Sequence, residues 1–332
     1  MTRNVVSTLF RSASTLVIVL VLSFFITRIA YRNPAAMLAP RNATQETIDG
    51  VARALRLDEP WYRQLWYYLF RGPDIQGAPM GLMHWPPALG YSFRKQAPVT
   101  DLILSKAPVT MSLALGALVI WMTISIVAGV AGARWQGRTI DHVLAFFAYV
   151  GLSVPTFLSG ILISYVFFFQ LTNAGYAWFP SSGYVPLFEN PLEWARHLIL
   201  PWATLAIAEI GIFQRIVRAG MLDVLGQDYI RTARAKGLGE GRIYLSHALT
   251  SALNPIITLG GLELAVIMGG AIVTETIFGL DGVGRMAIAA ALDGDFPLVI
   301  GTTIFAASVF VVCTLIVDLV TQWRDPSRSS SR

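Results

Sequence analysis

Apolar residues in this chain run in long unbroken stretches rather than alternating with polar ones. A helix rises 1.5 Å per residue, so about 20 mostly apolar residues span a bilayer core while keeping every backbone hydrogen bond internal. Six stretches meet that length: Ser12–Ala30, Ala107–Ala133, His142–Leu171, Leu198–Val217, Ala252–Phe278 and Leu298–Gln322. The fourth is the least apolar, carrying Pro201, Glu209 and Gln214, and the third and fifth are long enough to tilt or break. The pattern predicts an all-α integral membrane protein with six transmembrane helices.

The polar positions between these stretches set an orientation. With the N-terminus inside, residues 1–11, 134–141, 215–251 and 323–332 are internal and hold thirteen Lys and Arg, whereas the two short external loops hold only Arg196 and Arg285. Cations concentrate on the cytoplasmic side, and long translocated loops do not count. Both termini are therefore expected in the cytoplasm. The first stretch is longer than a signal-peptide core, is interrupted by Arg28 and lacks a nearby small-x-small cleavage site, so it reads as an anchor over residues 1–30.

Residues 31–106 form an expected extracytoplasmic insertion between the first two spans. Thr44 is placed to cap a helix with apolar spacing at Ile48, Val51, Ala52 and Leu55. "EPWYRQLWYYLF" follows, rich in the aromatics that favour a membrane interface. "GPDIQGAPMGLMHWPPALG" reads as loop. The whole segment is expected to be a cap of surface helices, with the transmembrane core at 107–322 and a tail at 323–332.

Composition agrees with lipid as the solvent. Hydrophobic residues make up 55% and charged residues 14% of the 332 residues, against about 45–50% and 25% in soluble domains. The net charge of +5 is too small to argue for nucleic acid. Cys313 is the sole cysteine, which excludes an internal disulfide. No phosphate-binding loop, H-E-x-x-H or G-x-S-x-G occurs, and the four histidines are scattered, so no catalytic or metal motif is expected. "GLDGVGR" at 279–285 follows a span rather than a strand and reads as a tight turn.

Two features carry candidate function. Glu209 and Glu263 sit within spans, where charge is costly and often functional. They are candidate pathway-lining residues, with pairing of Glu209 to Arg215 as the structural alternative, and Glu275 is placed near the headgroups. The other feature is "DYIRTARAKGLGEGRIYLSHALTSALNP", residues 228–255, the densest cationic stretch, within a loop at 219–251. Asp228 is read as an N-cap, Tyr229–Lys236 as two helical turns and Gly237 as a left-handed C′ residue. A nucleic-acid patch does not fit a local charge of +2, and two turns with little apolar face do not make a membrane-surface helix. Docking of a soluble partner remains, beside a purely topological role for the cations.

That stretch resembles the cytoplasmic signature loop of ABC-importer permeases, E-A-A-x3-G-x9-I-x-L-P. Arg231-Thr232-Ala233 stand at E-A-A, Gly237 at the glycine, and His247 and Leu249 at the I and L positions, while Thr250 replaces the proline. "LDEPWYRQLWYYL", "LGYSFRKQAPVTDLILSKAPVTMSLAL", "GLSVPTFLSG", "MLDVLGQDYI", "ETIFGLDGVGRM" and "VDLVTQWRDP" are similar to the dipeptide/oligopeptide subfamily. The likeness covers most of residues 1–326 and is weakest over 71–88. It implies a type I importer permease forming half of a translocation pathway for peptides or similar small solutes in a bacterial or archaeal cell membrane. It further implies that Asp228, Tyr229, Arg231, Thr232, Ala233, Arg234, Lys236, Gly237 and Leu238 couple the chain to an ATPase. No cofactor is expected on this chain; ATP and Mg belong to two separate cytoplasmic ABC ATPase subunits, or to one fused ATPase. A second, related permease and an extracytoplasmic binding protein complete the expected assembly. A proton- or ion-coupled secondary transporter is the alternative that Glu209 and Glu263 keep open.

Overall fold

The structure, a computed structural model, describes residues 2–30, 35–36, 43–54, 56–71, 81–83, 87–92 and 94–324. Leu55, most of the loop predicted after Phe70, and residues 325–332 of the tail lie outside the described residues. The helices are α1 Thr2–Ala30, α2 Gln45–Ala54, α3 Trp61–Phe70, α4 Val99–Arg134, α5 Thr139–Ser153, α6 Thr156–Asn173, α7 Pro191–Leu225, α8 Asp228–Ala235, α9 Glu240–Met268, α10 Ile272–Ile277, α11 Val283–Asp293 and α12 Phe296–Arg324. Among the described residues, α4, α6, α7, α9 and α12 are long and apolar enough to cross a membrane, and α1 carries a shorter apolar run, Ala13–Ile26. Val119, Val127, Phe157, Val266 and Val312 are exposed along these helices, as expected of surfaces solvated by lipid. The protein is an all-α, multi-pass membrane protein.

Helix breaks follow local chemistry. The third predicted span divides at Pro155, which lacks an N–H and disfavours helix at Val154, so α5 ends at Ser153 and α6 starts at Thr156. The fifth divides at Gly269-Gly270, where Gly270 takes φ +138°, a conformation open mainly to glycine. Two helices widen to a π-helical register, over Ser164–Gln170 in α6 and Ile243–Ala248 in α9. The fourth span, the weakest by pattern, becomes one of the longest helices. Asn190 caps α7, its Oδ1 accepting from Leu192 N–H and Glu193 N–H at 3.2 Å each, and Pro191 occupies the first turn.

The chain divides into two compact units, the first holding residues 1–110, 268–272 and 281–312, the second the remainder. In the first, Val99, Ile103, Ala107, Val283, Met286, Ala290 and Leu298 form a buried core. A second cluster places Leu65, Tyr68 and Leu69 of α3 against Leu20, Ile300 and Ile304, while Trp61, Tyr62, Trp66 and Phe70 stay exposed. Thr44 does accept from Thr47 N–H at 3.4 Å at the start of α2. A hairpin that the apolar pattern does not announce precedes α4: Tyr91 pairs with Pro98 and Ser92 with Ala97. Buried Asp295 ties it down, accepting from Ser92 Oγ through Oδ2 and from Leu298 N–H through Oδ1 at 3.4 Å.

In the second unit, α5 crosses α7 with almost no side chain between them. A Cβ on Gly211 would lie 2.5 Å from the Ala148 carbonyl oxygen, and one on Gly151 would lie 2.7 Å from that of Ile207. Small residues allow such close backbone approach within membranes, where packing replaces the hydrophobic effect. "GLDGVGR" forms the turn from α10 to α11, with Gly279 at φ +60° and Gly282 preceding α11. Glu275 in α10 is fully buried within the protein.

Candidate functional site

Between α7 and α9 the chain makes a short, well-terminated helix. Gln227, extended at ψ 150°, precedes α8 and makes no side-chain cap bond. Asp228 is therefore the first helical residue instead of the cap, and α8 covers Asp228–Ala235. The one-residue difference arises because backbone conformation, not side-chain preference, fixes the cap. A carboxylate in the first turn still complements the positive end of the helix dipole.

The other end closes in a Schellman motif. Gly237 has φ +79°, its N–H donates to Arg234 O at 2.9 Å, and Leu238 N–H donates to Ala233 O at 3.3 Å. Arg234 then bridges the turn to Glu240 with two bonds, at 2.8 and 3.3 Å. Ile230 of α8 and Ile243 of α9 are fully buried, and Tyr229 Oη donates to Ser251 Oγ at 3.2 Å. Thr232 Oγ1 donates to Asp228 O at 3.0 Å.

The helix is thus fixed on one side and open on the other. Asp228, Tyr229, Arg231, Thr232, Arg234, Ala235, Lys236 and Gly237 are exposed, whereas Ala233 and Leu238 are half-buried. Arg231 pairs with Asp228 at 3.2 Å, one turn away. Lys236 and Arg242 form no ion pair among the described residues. A Cβ on Gly237 would meet nothing within 4 Å, so the glycine answers to backbone geometry and not to crowding. The structure brings the nine sequence-predicted loop residues into one compact element.

Glu209 and Glu263 lie elsewhere, in α7 and α9. Two contacts set the antiparallel register of these helices: Gly220 lies against Ala252, and Gly260 against Phe213. Glu209 is one turn before Phe213, and Glu263 one turn beyond Gly260. Both carboxyls therefore fall on the facing sides at the same level, and Glu263 is close enough for its charge to act on Glu209. The expected pairing of Glu209 with Arg215 does not form. Arg215 Nε donates to Gly211 O at 3.3 Å, its guanidinium lies 5.5 Å from the Tyr149 ring centre, and Glu209 Oε2 is buried with no hydrogen bond among the described residues. No cluster of His, Cys, Asp and Glu able to hold a metal ion occurs among the described residues.

Sequence reasoning missed one polar pair in this half of the molecule. Asp141 and Arg218 form two parallel hydrogen bonds of 2.7 Å, from Nε to Oδ1 and from Nη2 to Oδ2. They are 77 residues apart, and each falls in a segment where cations and anions are common, so spacing gives no signal. Only the proximity of α5 and α7 could reveal the pair.

Residues 123–330 match the family described as binding-protein-dependent transport system inner membrane component, and residues 1–114 match the N-terminal component of the same systems. A protein of Brucella abortus (strain 2308) named as a peptide transport system permease is 36% identical over 326 residues, 98% of each chain. The oligopeptide transport system permease protein AppB of Bacillus subtilis (strain 168) is 34% identical, covering 92% of each chain. The glutathione transport system permease protein GsiC of Escherichia coli O6:H1 is 33% identical, again covering 92% of each. The chain belongs to the family of inner-membrane permease components of binding-protein-dependent transport systems.

Proposed function

We propose that this chain is one of two permease subunits of an ABC importer for peptides, and that α8 is the element through which separate ATPase subunits drive it. The observation that carries the reading is the breadth of similarity: relatives matched over more than nine-tenths of both chains are named for peptide, oligopeptide and glutathione transport. The geometry of α8 supports it. A two-turn helix, closed by left-handed Gly237 and anchored through Ile230, transmits a push to α7 and α9 with little loss in local bending.

In this reading a related second permease completes the pathway, two cytoplasmic ATPase subunits hold ATP and Mg, and an extracytoplasmic binding protein delivers cargo. The chain itself binds no cofactor. Both termini and α8 face the cytoplasm, and residues 31–106 together with 279–296 meet the binding protein. Glu209 and Glu263 line the pathway, where facing carboxylates with no cationic partner among the described residues suit cargo bearing an ammonium group.

Those same facing carboxylates favour a second reading, an ion-coupled carrier. One experiment separates the two. The chain, its cognate partner permease, the ATPase pair and the binding protein are reconstituted in liposomes with labelled di- to pentapeptides. ATP-dependent uptake, abolished by a non-hydrolysable analogue, is expected. Uptake that follows a proton or sodium gradient without ATP overturns the importer reading.

A further inference from the structure

Asp141 lies in the first turn of α5 and is 5% exposed. Its carboxylate takes both bonds from Arg218 and a third from Gly137 N–H, which reaches Oδ2 at 2.9 Å. Gly132 makes room for the pair: a Cβ there would lie 3.2 Å from Arg218 Cδ and 3.3 Å from Asp141 Oδ1. A two-pronged guanidinium–carboxylate bond fixes direction as well as distance. Asp141 is buried while the Arg218 side chain is 29% exposed, and such a pair is weak evidence for stability, because desolvation of the carboxylate offsets much of the attraction. What it does supply is a rigid joint.

The joint's position gives it meaning. It fastens the turn between α4 and α5 to α7 at Arg218, seven residues before α7 ends and so about 10 Å along the axis from its last turn. Between that point and α8 the support is apolar: Met221, Ile230 and Ile243 are fully buried, and Gly220 packs against Ala252. Farther from α8, α7 meets α5 through the Arg215 guanidinium over the Tyr149 ring and through the close backbone crossing at Gly211 and Gly151, neither of which fixes direction as a two-pronged bond does. A displacement of α8 levers the end of α7, and the Asp141–Arg218 pair, the ion pair between these helices nearest α8, obliges α5 to follow.

We propose that the Asp141–Arg218 pair is a positioning clasp that makes α5 and the end of α7 move as one body, so that motion at α8 reaches the membrane helices. The inference rests on the reading of α8 as the ATPase-contacting helix. The test uses the full complex in nanodiscs, comparing wild type with the Asp141→Asn/Arg218→Gln double variant and with Arg218→Lys. The double variant keeps neutral side-chain hydrogen bonding and leaves no buried charge unpaired. The readouts are retention of ATPase subunits on purification and the ratio of binding-protein-stimulated to basal ATP hydrolysis.

The double variant is expected to retain the ATPase subunits while its stimulation ratio falls about fivefold. Arg218→Lys should fall between it and wild type, since an ammonium keeps the charge but cannot make the two-pronged bond. An unchanged ratio in the double variant overturns the proposal, and so does loss of the ATPase subunits, because the pair would then serve assembly. Should the double variant not fold, an unchanged ratio in Arg218→Lys decides against it. A wild-type chain that retains no ATPase subunits would instead sink the reading of α8.

Discussion

Gly237 and Glu209 show what single positions contribute. The left-handed conformation of Gly237 costs most residues about 1–2 kcal/mol, whereas asparagine adopts it more readily. Its Cβ position is open, so substitution strains the backbone without a clash inside the chain. Gly237→Val is expected to insert in the membrane at wild-type levels yet lose binding-protein-stimulated ATP hydrolysis. Gly237→Asn should keep most of it; equal loss in both would place the fault in the docking surface, not the helix end. Glu209 argues in the opposite direction. Its buried Oε2, without a hydrogen bond among the described residues and facing Glu263, is unfavourable for folding, so Glu209→Gln is expected to hold or raise the Tm in detergent while lowering peptide uptake. A lower Tm would mean that the carboxylate has a structural partner. The glycine was legible in the sequence because Gly after a cationic helical turn has one common use. The facing of the carboxylates was not, since each looks like an isolated charge until the register of α7 and α9 is known.

At the scale of elements, the spacing of small residues separates packing from propensity. Gly50 lies in α2 with open space around its Cβ position, and Gly211 lies in α7 against the Ala148 backbone. Gly50→Ala should stabilise by about 0.5–1 kcal/mol through helix propensity. Gly211→Ala receives the same propensity gain but must push α5 away from α7, so a net loss of Tm is expected. Equal effects at both sites would mean that the α5–α7 crossing is looser than described. The hairpin before α4 offers a pH test. Burial pushes the Asp295 carboxyl above its usual range, with Ser92, Leu298 N–H, Arg94 and Lys95 pulling the other way. The folded chain therefore prefers the protonated acid. Its contribution to stability is full below the ordinary carboxyl range, near pH 4, and is lost as pH rises through the raised value. Asp295→Asn keeps an N-capping side chain and removes the titration. Its Tm advantage over wild type should be absent near pH 4 and present at pH 7.5; an advantage that shrinks with rising pH contradicts the assignment. Breaks at Pro155 and Gly270 follow from residue chemistry, but the hairpin does not, because two-residue strands carry no periodicity and owe their place to one buried carboxylate.

For the whole molecule, the asymmetry of cations makes a claim about sidedness that can be measured directly. Thirteen Lys and Arg flank the spans on one side and two on the other, and moving such segments across a bilayer during insertion is disfavoured. Cys313 is the only cysteine and is buried, so a Cys313→Ala background permits single-site labelling. Lys236→Cys, on the exposed side of α8, should react with a membrane-impermeant maleimide only in inside-out vesicles. Leu292→Cys, at a position 85% exposed near the end of α11, should react only in right-side-out vesicles or intact spheroplasts. Tyr62→Cys in α3, 54% exposed, should label with Leu292→Cys if residues 31–106 cross the membrane as an insertion. Labelling of Tyr62→Cys together with Lys236→Cys would put the insertion on the ATPase side, where a binding protein could not reach it. That outcome would leave the family assignment intact and remove residues 31–106 from the cargo-delivery surface.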